Sequence, residues 1–371
     1  MSAHDRIARN PPKRLLSLDG GGIRGLITIE MLAAIERLLQ TALGRSDDFV
    51  LADYFDYIAG ASTGAVIAAS LSLGMRVNQV REFYISSGAE MFDKAVWLRR
   101  FNYKYEDERL ARKLRSVFGE DTTLGDERLR TLLLLVLRNA TTDSPWPVSN
   151  NPFAKYNDLR RGDSNLKLPL WQLVRASAAA PVFFPPEVVQ VGRNSFVFQD
   201  GGMTIYNNPA LQLFLMATLE EHRLVWPTGE DKMLLVSVGT GGTAEANANL
   251  APGDLNVLYN ATAIPSALLY SASVQQDVLC RVLGRCRSGD QLDREIGDLI
   301  GSNGLAQPKL FTYLRYNVDL SSQGLAGLDL THIAPEHVQP PDSIDYMEDL
   351  QLVGHAAART QVKPAHFNDF V

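Results

Sequence analysis

Ser62 stands at the centre of Gly60-Ala61-Ser62-Thr63-Gly64, a GxSxG pentapeptide. A serine acts as a nucleophile when its hydroxyl stands clear of its neighbours and beside a group that can take its proton. A GxSxG segment meets the first condition when it joins a strand to a helix. The sharp turn forces the serine backbone into strained dihedrals, and Gly60 and Gly64 leave the room it needs. The hydroxyl then sits at a helix N-terminus, where N–H groups and the helix dipole favour developing negative charge. The flanks suit this layout, since Tyr54–Ala59 reads as a strand and Ala65–Gly74 as a small, apolar helix start. A chain of this length meets GxSxG by chance about once in seven or eight. The bland reading is a small-residue turn between buried elements, so support must come from elsewhere.

A second glycine-rich turn, Gly20-Gly21-Gly22-Ile23-Arg24-Gly25, follows the short apolar stretch Arg14–Asp19. Gly20, Gly22 and Gly25 satisfy GxGxxG, with Asp47 and Asp48 at about the distance expected of a ribose-binding carboxylate. That reading predicts a dinucleotide-binding protein. Three adjacent glycines also make a bend whose N–H groups can converge on one oxygen, which is an oxyanion hole when a nucleophile lies beside it. The GxSxG unit nearby favours this second reading.

The histidines offer no base in a strand-end or glycine-rich context. Only His4 precedes His222, and the others are His332, His337, His355 and His366. Asp200 is better placed. It follows the apolar run Phe196-Val197-Phe198-Gln199 and opens the turn Asp200-Gly201-Gly202. A carboxylate leaving a strand there accepts the serine proton directly if burial raises its pKa. The alternative is a turn aspartate that stabilises its own backbone.

Elements that could hold these groups follow from the hydrophobic pattern. Ile29, Leu32, Ala33, Ile35 and Leu38-Leu39 carry a helical period from Leu26 to about Leu43. Two strand-turn-helix units in succession predict an α/β fold with an open, mostly parallel sheet flanked by helices and sites at the carboxyl ends of its strands. Further helices are expected over 77–91, 106–118, 170–180, 209–222, 265–283 and 344–360, and strands over 131–138, 195–199, 233–238 and 310–317. Pro181 stops the helix before it and makes 182–186 extended.

Composition narrows the function. The 371 residues are 46% hydrophobic with no linker-like stretch, so one domain over 1–371 is the simpler reading. A net charge of −6 argues against binding a nucleic-acid polymer. No apolar run is long enough to span a bilayer, and the N-terminal residues lack the apolar core of a secretory signal. Cys280 and Cys286 are the two cysteines, too few for a disulfide framework or a four-ligand zinc site, and a cytoplasmic protein without metal fits best. The segment Trp97-Leu98-Arg99-Arg100-Phe101-Asn102-Tyr103-Lys104-Tyr105 mixes basic and aromatic residues in a way that suits a lipid headgroup region, or an ordinary loop packed on the core. Arg281, Arg285 and Arg287 read as a solvated helix end.

Taken in order, Asp19-Gly20-Gly21-Gly22-Ile23-Arg24-Gly25, Gly60-Ala61-Ser62-Thr63-Gly64 and Asp200-Gly201-Gly202 resemble the patatin-like phospholipase family. A fourth block, Val174 to Pro186, is similar to the helix and proline turn before the family's aspartate strand. The resemblance covers about 14–243. It implies a three-layer patatin fold and a Ser-Asp dyad in place of a triad, with Ser62 as nucleophile and Asp200 as base. It also implies an oxyanion site built by Gly20, Gly21, Gly22 and Gly25, with Arg24 nearby as a phosphate ligand or loop anchor. Acyl esters of membrane phospholipids would be cleaved without cofactor, in peripheral contact with the membrane. Some bacterial members are effectors switched on by a cyclic nucleotide, and 244–371, which completes the domain, could house such control. A catalytically silent member of the fold and the dinucleotide-binding protein are the rival expectations.

Overall fold

A computed structural model describes residues 3–92, 103–181, 184–242 and 257–371. Strand β1 (Lys13–Leu18) is the centre of the architecture, because it pairs in parallel with β2 (Tyr57–Ala61) on one side and β7 (Met233–Val238) on the other. Covered on both faces and both edges, it buries Leu15, Leu16 and Leu18 fully, and Lys13, Arg14 and Ser17 are buried with them. The described residues form one nine-stranded sheet in the order β5-β6-β3-β2-β1-β7-β9-β8, with β4 paired to β3. Here β3 is Leu132–Asn139, β4 Ser144–Ser149, β5 Glu187–Val191, β6 Asn194–Gln199, β8 Arg285–Ser288 and β9 Thr312–Tyr316. The central strands run parallel; β4 and β6 are antiparallel to β3, and β5 to β6. The mostly parallel α/β sheet expected from the sequence is present.

Because strand side chains alternate, the sheet feeds two cores. Leu16, Ile58, Leu133, Val236 and Leu314 face one set of helices: α1 (Gly25–Ala42), α2 (Thr63–Ser72), α3 (Leu170–Ser177) and the C-terminal Met347–Gln361. Leu15, Tyr57, Leu132, Leu235 and Tyr313 face the opposite layer, with Ala210–Thr218 and Val257–Leu283. The C-terminal helix lies so close to α1 that a Cβ on Gly354 would stand 2.8 Å from the Glu30 Cβ. Glu30, buried there, takes two hydrogen bonds from Arg81 at 2.6 and 2.7 Å.

Several local expectations are corrected. Tyr54 ends a short helix, Leu51–Tyr54, and the elbow strand begins only at Tyr57, because the Asp53 carboxylate accepts the Val50 N–H and closes that turn. Strand β4 escaped the sequence reading because it carries Pro145 and Pro147, which a strand tolerates when one edge is unpaired. The stretch 285–288 is a strand rather than a helix end, and Arg281 is buried in a bidentate pair with Asp277 at 3.0 and 2.6 Å. Trp97 to Asn102 lie outside the described residues, as do the side chains of Tyr103, Lys104 and Tyr105.

Candidate active site

Strands β1 and β2 are parallel neighbours, so their carboxyl ends open about 4.8 Å apart on the same rim of the sheet. The chain order reverses direction across the sheet between β1 and β7, and such switch points leave a crevice for ligands. Each strand delivers its turn to that rim.

Ser62 leaves β2 with φ 54° and ψ −123° and is the N-cap of α2. A non-glycine residue at positive φ persists only where its surroundings hold it. The elbow is tight enough to require its glycines. A Cβ on Gly60 would lie 2.1 Å from the Gly64 carbonyl oxygen, and one on Gly64 would lie 2.3 Å from that of Leu18. Ser62 is half-buried in an otherwise buried stretch, so its hydroxyl has the access its neighbours lack.

The Ser62 Oγ donates to Asp200 Oδ2 at 2.8 Å, across 138 residues of sequence. Asp200 is 5% exposed, and the Gly202 N–H donates to its other oxygen at 2.6 Å. Burial pushes its carboxyl up to about 6, against the opposing pull of the hydrogen bonds from Ser62 and Gly202. A carboxylate of that basicity, in contact with a serine hydroxyl, can act as a general base near neutral pH. The histidines are elsewhere. His355 faces Glu30, His366 bonds Tyr316, and His337 stacks on Tyr346 beside Asp349.

The glycine-rich turn lies against Ser62, since a Cβ on Gly20 would stand 3.1 Å from the Ser62 Cβ. Its N–H groups are unequally committed. Gly20 donates to the Asn207 carbonyl at 3.1 Å, Ile23 to that of Pro341 at 2.9 Å, and Gly25 to those of Gly22 and Ile23. Among the described residues, no backbone hydrogen bond is found from the N–H of Gly21 or Gly22. Arg24 Nε reaches the Gly21 carbonyl at 3.4 Å, no carboxylate pairs with its guanidinium among the described residues, and burial pulls its pKa down to about 10.

A model of the patatin-like phospholipase family matches residues 16–214. The chain belongs to that family, one of lipid hydrolases. This patatin-like chain is 31% identical over 267 residues to a cGAMP-activated phospholipase of Vibrio cholerae, covering 66% of this chain and 70% of that protein. It is 28% identical over 248 residues to Patatin-T5 of Solanum tuberosum, covering 62% of this chain and 61% of the potato protein. Among solved structures, VipD from Legionella pneumophila matches with a TM-score of 0.40 and 16% identity, over 92% of this chain and 67% of that one.

The dinucleotide reading of the glycine turn loses its ribose partner. Asp47 and Asp48 lie beyond the far end of α1, whose 18 residues span about 27 Å from the turn. Their exposed loop is tied locally, Asp47 to Gln40 near the end of α1 and Asp48 to Ser46. Several residues that organise the patatin-like site carry no signature in sequence. Asn207 accepts from Gly20 through its carbonyl and donates to Ser273, and Thr240 donates to the Gly20 carbonyl at 3.0 Å. Both come from segments that reach the crevice only through the folded sheet.

Proposed function

We propose that this chain is a serine lipid acyl hydrolase of phospholipase A type, with Ser62 as nucleophile, Asp200 as general base and the Gly21 and Gly22 N–H groups as the oxyanion site. The observation that carries the reading is the 2.8 Å contact between Ser62 Oγ and a buried carboxylate held near pKa 6. In the first step Asp200 takes the Ser62 proton while Oγ attacks the acyl carbonyl, and the oxyanion meets the uncommitted N–H groups beside it. Collapse expels the alcohol, which leaves with the proton from Asp200, and the acyl chain stays on Ser62. Asp200 then deprotonates a water that attacks the acyl-enzyme, and the fatty acid departs as Ser62 recovers its proton. The site's own residues supply every proton transfer in this scheme. Gly20 and Gly25 shape the turn rather than donate, because their N–H groups already have acceptors.

Membrane phospholipid is the proposed substrate class, reached from the cytoplasm by peripheral contact. Met203 and Ile205, 40% and 53% exposed, flank the Asp200 turn and offer an apolar approach. No described helix is long and apolar enough to cross a membrane. The likeness to a relative named as cGAMP-activated supports a second element of the proposal, activation by a cyclic nucleotide within a single domain in which 244–371 contributes β8 and β9 to the same sheet.

The test is fluorophosphonate labelling followed by fatty-acid release from mixed phospholipid vesicles, with and without cGAMP. Labelling lost in Ser62→Ala, together with fatty acid released by the parent, is the expected result. An unlabelled parent, with or without cGAMP, would point to a silent member of the fold. Full release without nucleotide would remove the activation element alone.

A further inference from the structure

The fourth sequence block has no role in the chemistry above, yet the end of its helix bonds the backbones of both Ser62 and Asp200. Ser177, the last residue of α3, is fully buried. Its Oγ accepts the Ser62 N–H at 3.0 Å and donates its own hydrogen to the Val136 carbonyl at 2.6 Å. Two residues on, the Ala179 carbonyl accepts the Asp200 N–H at 3.0 Å. One turn of chain, 177–179, therefore holds the backbone of the nucleophile and the backbone of its base.

The arrangement answers a specific need. At φ 54° the Ser62 N–H points out of the strand ladder and precedes the helix, so no regular element supplies an acceptor for it. A hydroxyl offers one donor and acceptor lone pairs, and Ser177 uses both functions at once, linking the elbow to the end of β3. That same Val136 carbonyl is the floor of the Asp200 turn, since a Cβ on Gly201 would stand 1.9 Å from its oxygen. The elbow, the end of β3 and the aspartate turn are thus referenced to one buried hydroxyl and one carbonyl.

We propose that Ser177 is a positioning residue that sets the Ser62–Asp200 contact by fixing the strained elbow, an inference that rests on the hydrolase reading above. Loss of its hydroxyl frees the Ser62 backbone to relax toward ordinary dihedrals and carries Oγ off the carboxylate. A displacement of about 1 Å in a catalytic pair costs about 100-fold in rate.

The experiment compares parent, Ser177→Ala, Ser177→Cys and Ser177→Thr for the fluorophosphonate labelling rate of Ser62, for kcat and KM on a soluble ester, and for melting temperature. Ser177→Ala is expected to lower the labelling rate and kcat together by about 10- to 100-fold with KM held within about twofold. Ser177→Cys, whose thiol is a weak hydrogen-bonding group, behaves alike and carries the same test if the alanine variant does not fold. Ser177→Thr, which keeps the hydroxyl, restores most of the rate. A labelling rate within about twofold of the parent in folded Ser177→Ala or Ser177→Cys, even with a lowered melting temperature, would overturn the positioning role while leaving the hydrolase intact. An unlabelled parent would overturn both.

Discussion

Arg315 grips Asp19 with two parallel hydrogen bonds, Nη1 to Oδ1 at 3.0 Å and Nη2 to Oδ2 at 2.6 Å, where β1 gives way to the glycine-rich turn. Both side chains are buried, and Arg315 also donates to Ser237 at 2.7 Å. The pair ties the first residue of the turn to the end of β9, and β7, which carries Ser237, lies between them.

Removing either partner leaves an uncompensated buried charge. Arg315→Ala or Asp19→Ala is expected to lose about 3–5 kcal/mol of stability, read by denaturant unfolding. Replacing both with apolar residues of similar volume is expected to recover much of that stability without recovering activity, because the turn loses its anchor. Equal activity in the double variant would show that the turn holds its shape unaided.

The pH profile should report Asp200. Its folded pKa near 6 lies above the ordinary 3.8, mainly through burial. In the proposed mechanism Asp200 works ionised, so kcat/KM is expected to rise with unit slope up to about pH 6 and then level. The stability effect has the opposite direction. Between the two values the folded state holds more protons than the unfolded one, so this group's contribution falls as pH rises, by about 3 kcal/mol at neutral pH. Asp200→Asn is therefore expected to lose activity yet melt higher than the parent at pH 8, with the gap closing toward pH 4 in calorimetry.

Gly22→Ala should separate turn geometry from mere strain. Gly22 has φ +63°, and an added Cβ would stand 2.1 Å from the Pro341 carbonyl oxygen. The substitution is expected to displace the turn and lower kcat by about 100- to 1000-fold, the usual effect of a lost oxyanion donor. Gly44 provides the control, with φ +59° and nothing within 4 Å of its Cβ position. Gly44→Ala is expected to cost about 1–2 kcal/mol in melting experiments and leave kcat unchanged.

Arg24 distinguishes two roles by substrate. If its guanidinium meets a lipid phosphate, Arg24→Gln is expected to raise KM for phospholipid by about 10- to 100-fold and leave hydrolysis of a neutral ester near the parent value. A parallel loss on both substrates would assign it to the turn, where it already reaches the Gly21 carbonyl.

Much of this protein was written locally. The helical period of α1, the apolar strands and the three glycine-bearing motifs are short-range patterns, and residue type alone states their backbone demands: Gly60 and Gly64 for a tight elbow, adjacent glycines for a bend with free N–H groups. Asp200 was legible because it ends an apolar run and opens a glycine turn. What the sequence could not state is which groups meet. Ser62 and Asp200 are 138 residues apart, Asp19 and Arg315 are 296 apart, and Ser62 and Ser177 are 115 apart. Their encounters depend on strand order and register, which are set by the packing of both cores together. Burial, and with it the raised basicity of Asp200, is likewise a property of the assembled sheet. The sequence by itself determined the candidate nucleophile, the candidate base and the glycine-rich turn. Only the tertiary structure decided which carbonyls the N–H groups of that turn meet, and that Ser177 bonds Ser62 and Arg315 bonds Asp19, because hydrogen-bond partners and desolvation exist only once distant segments share the same rim.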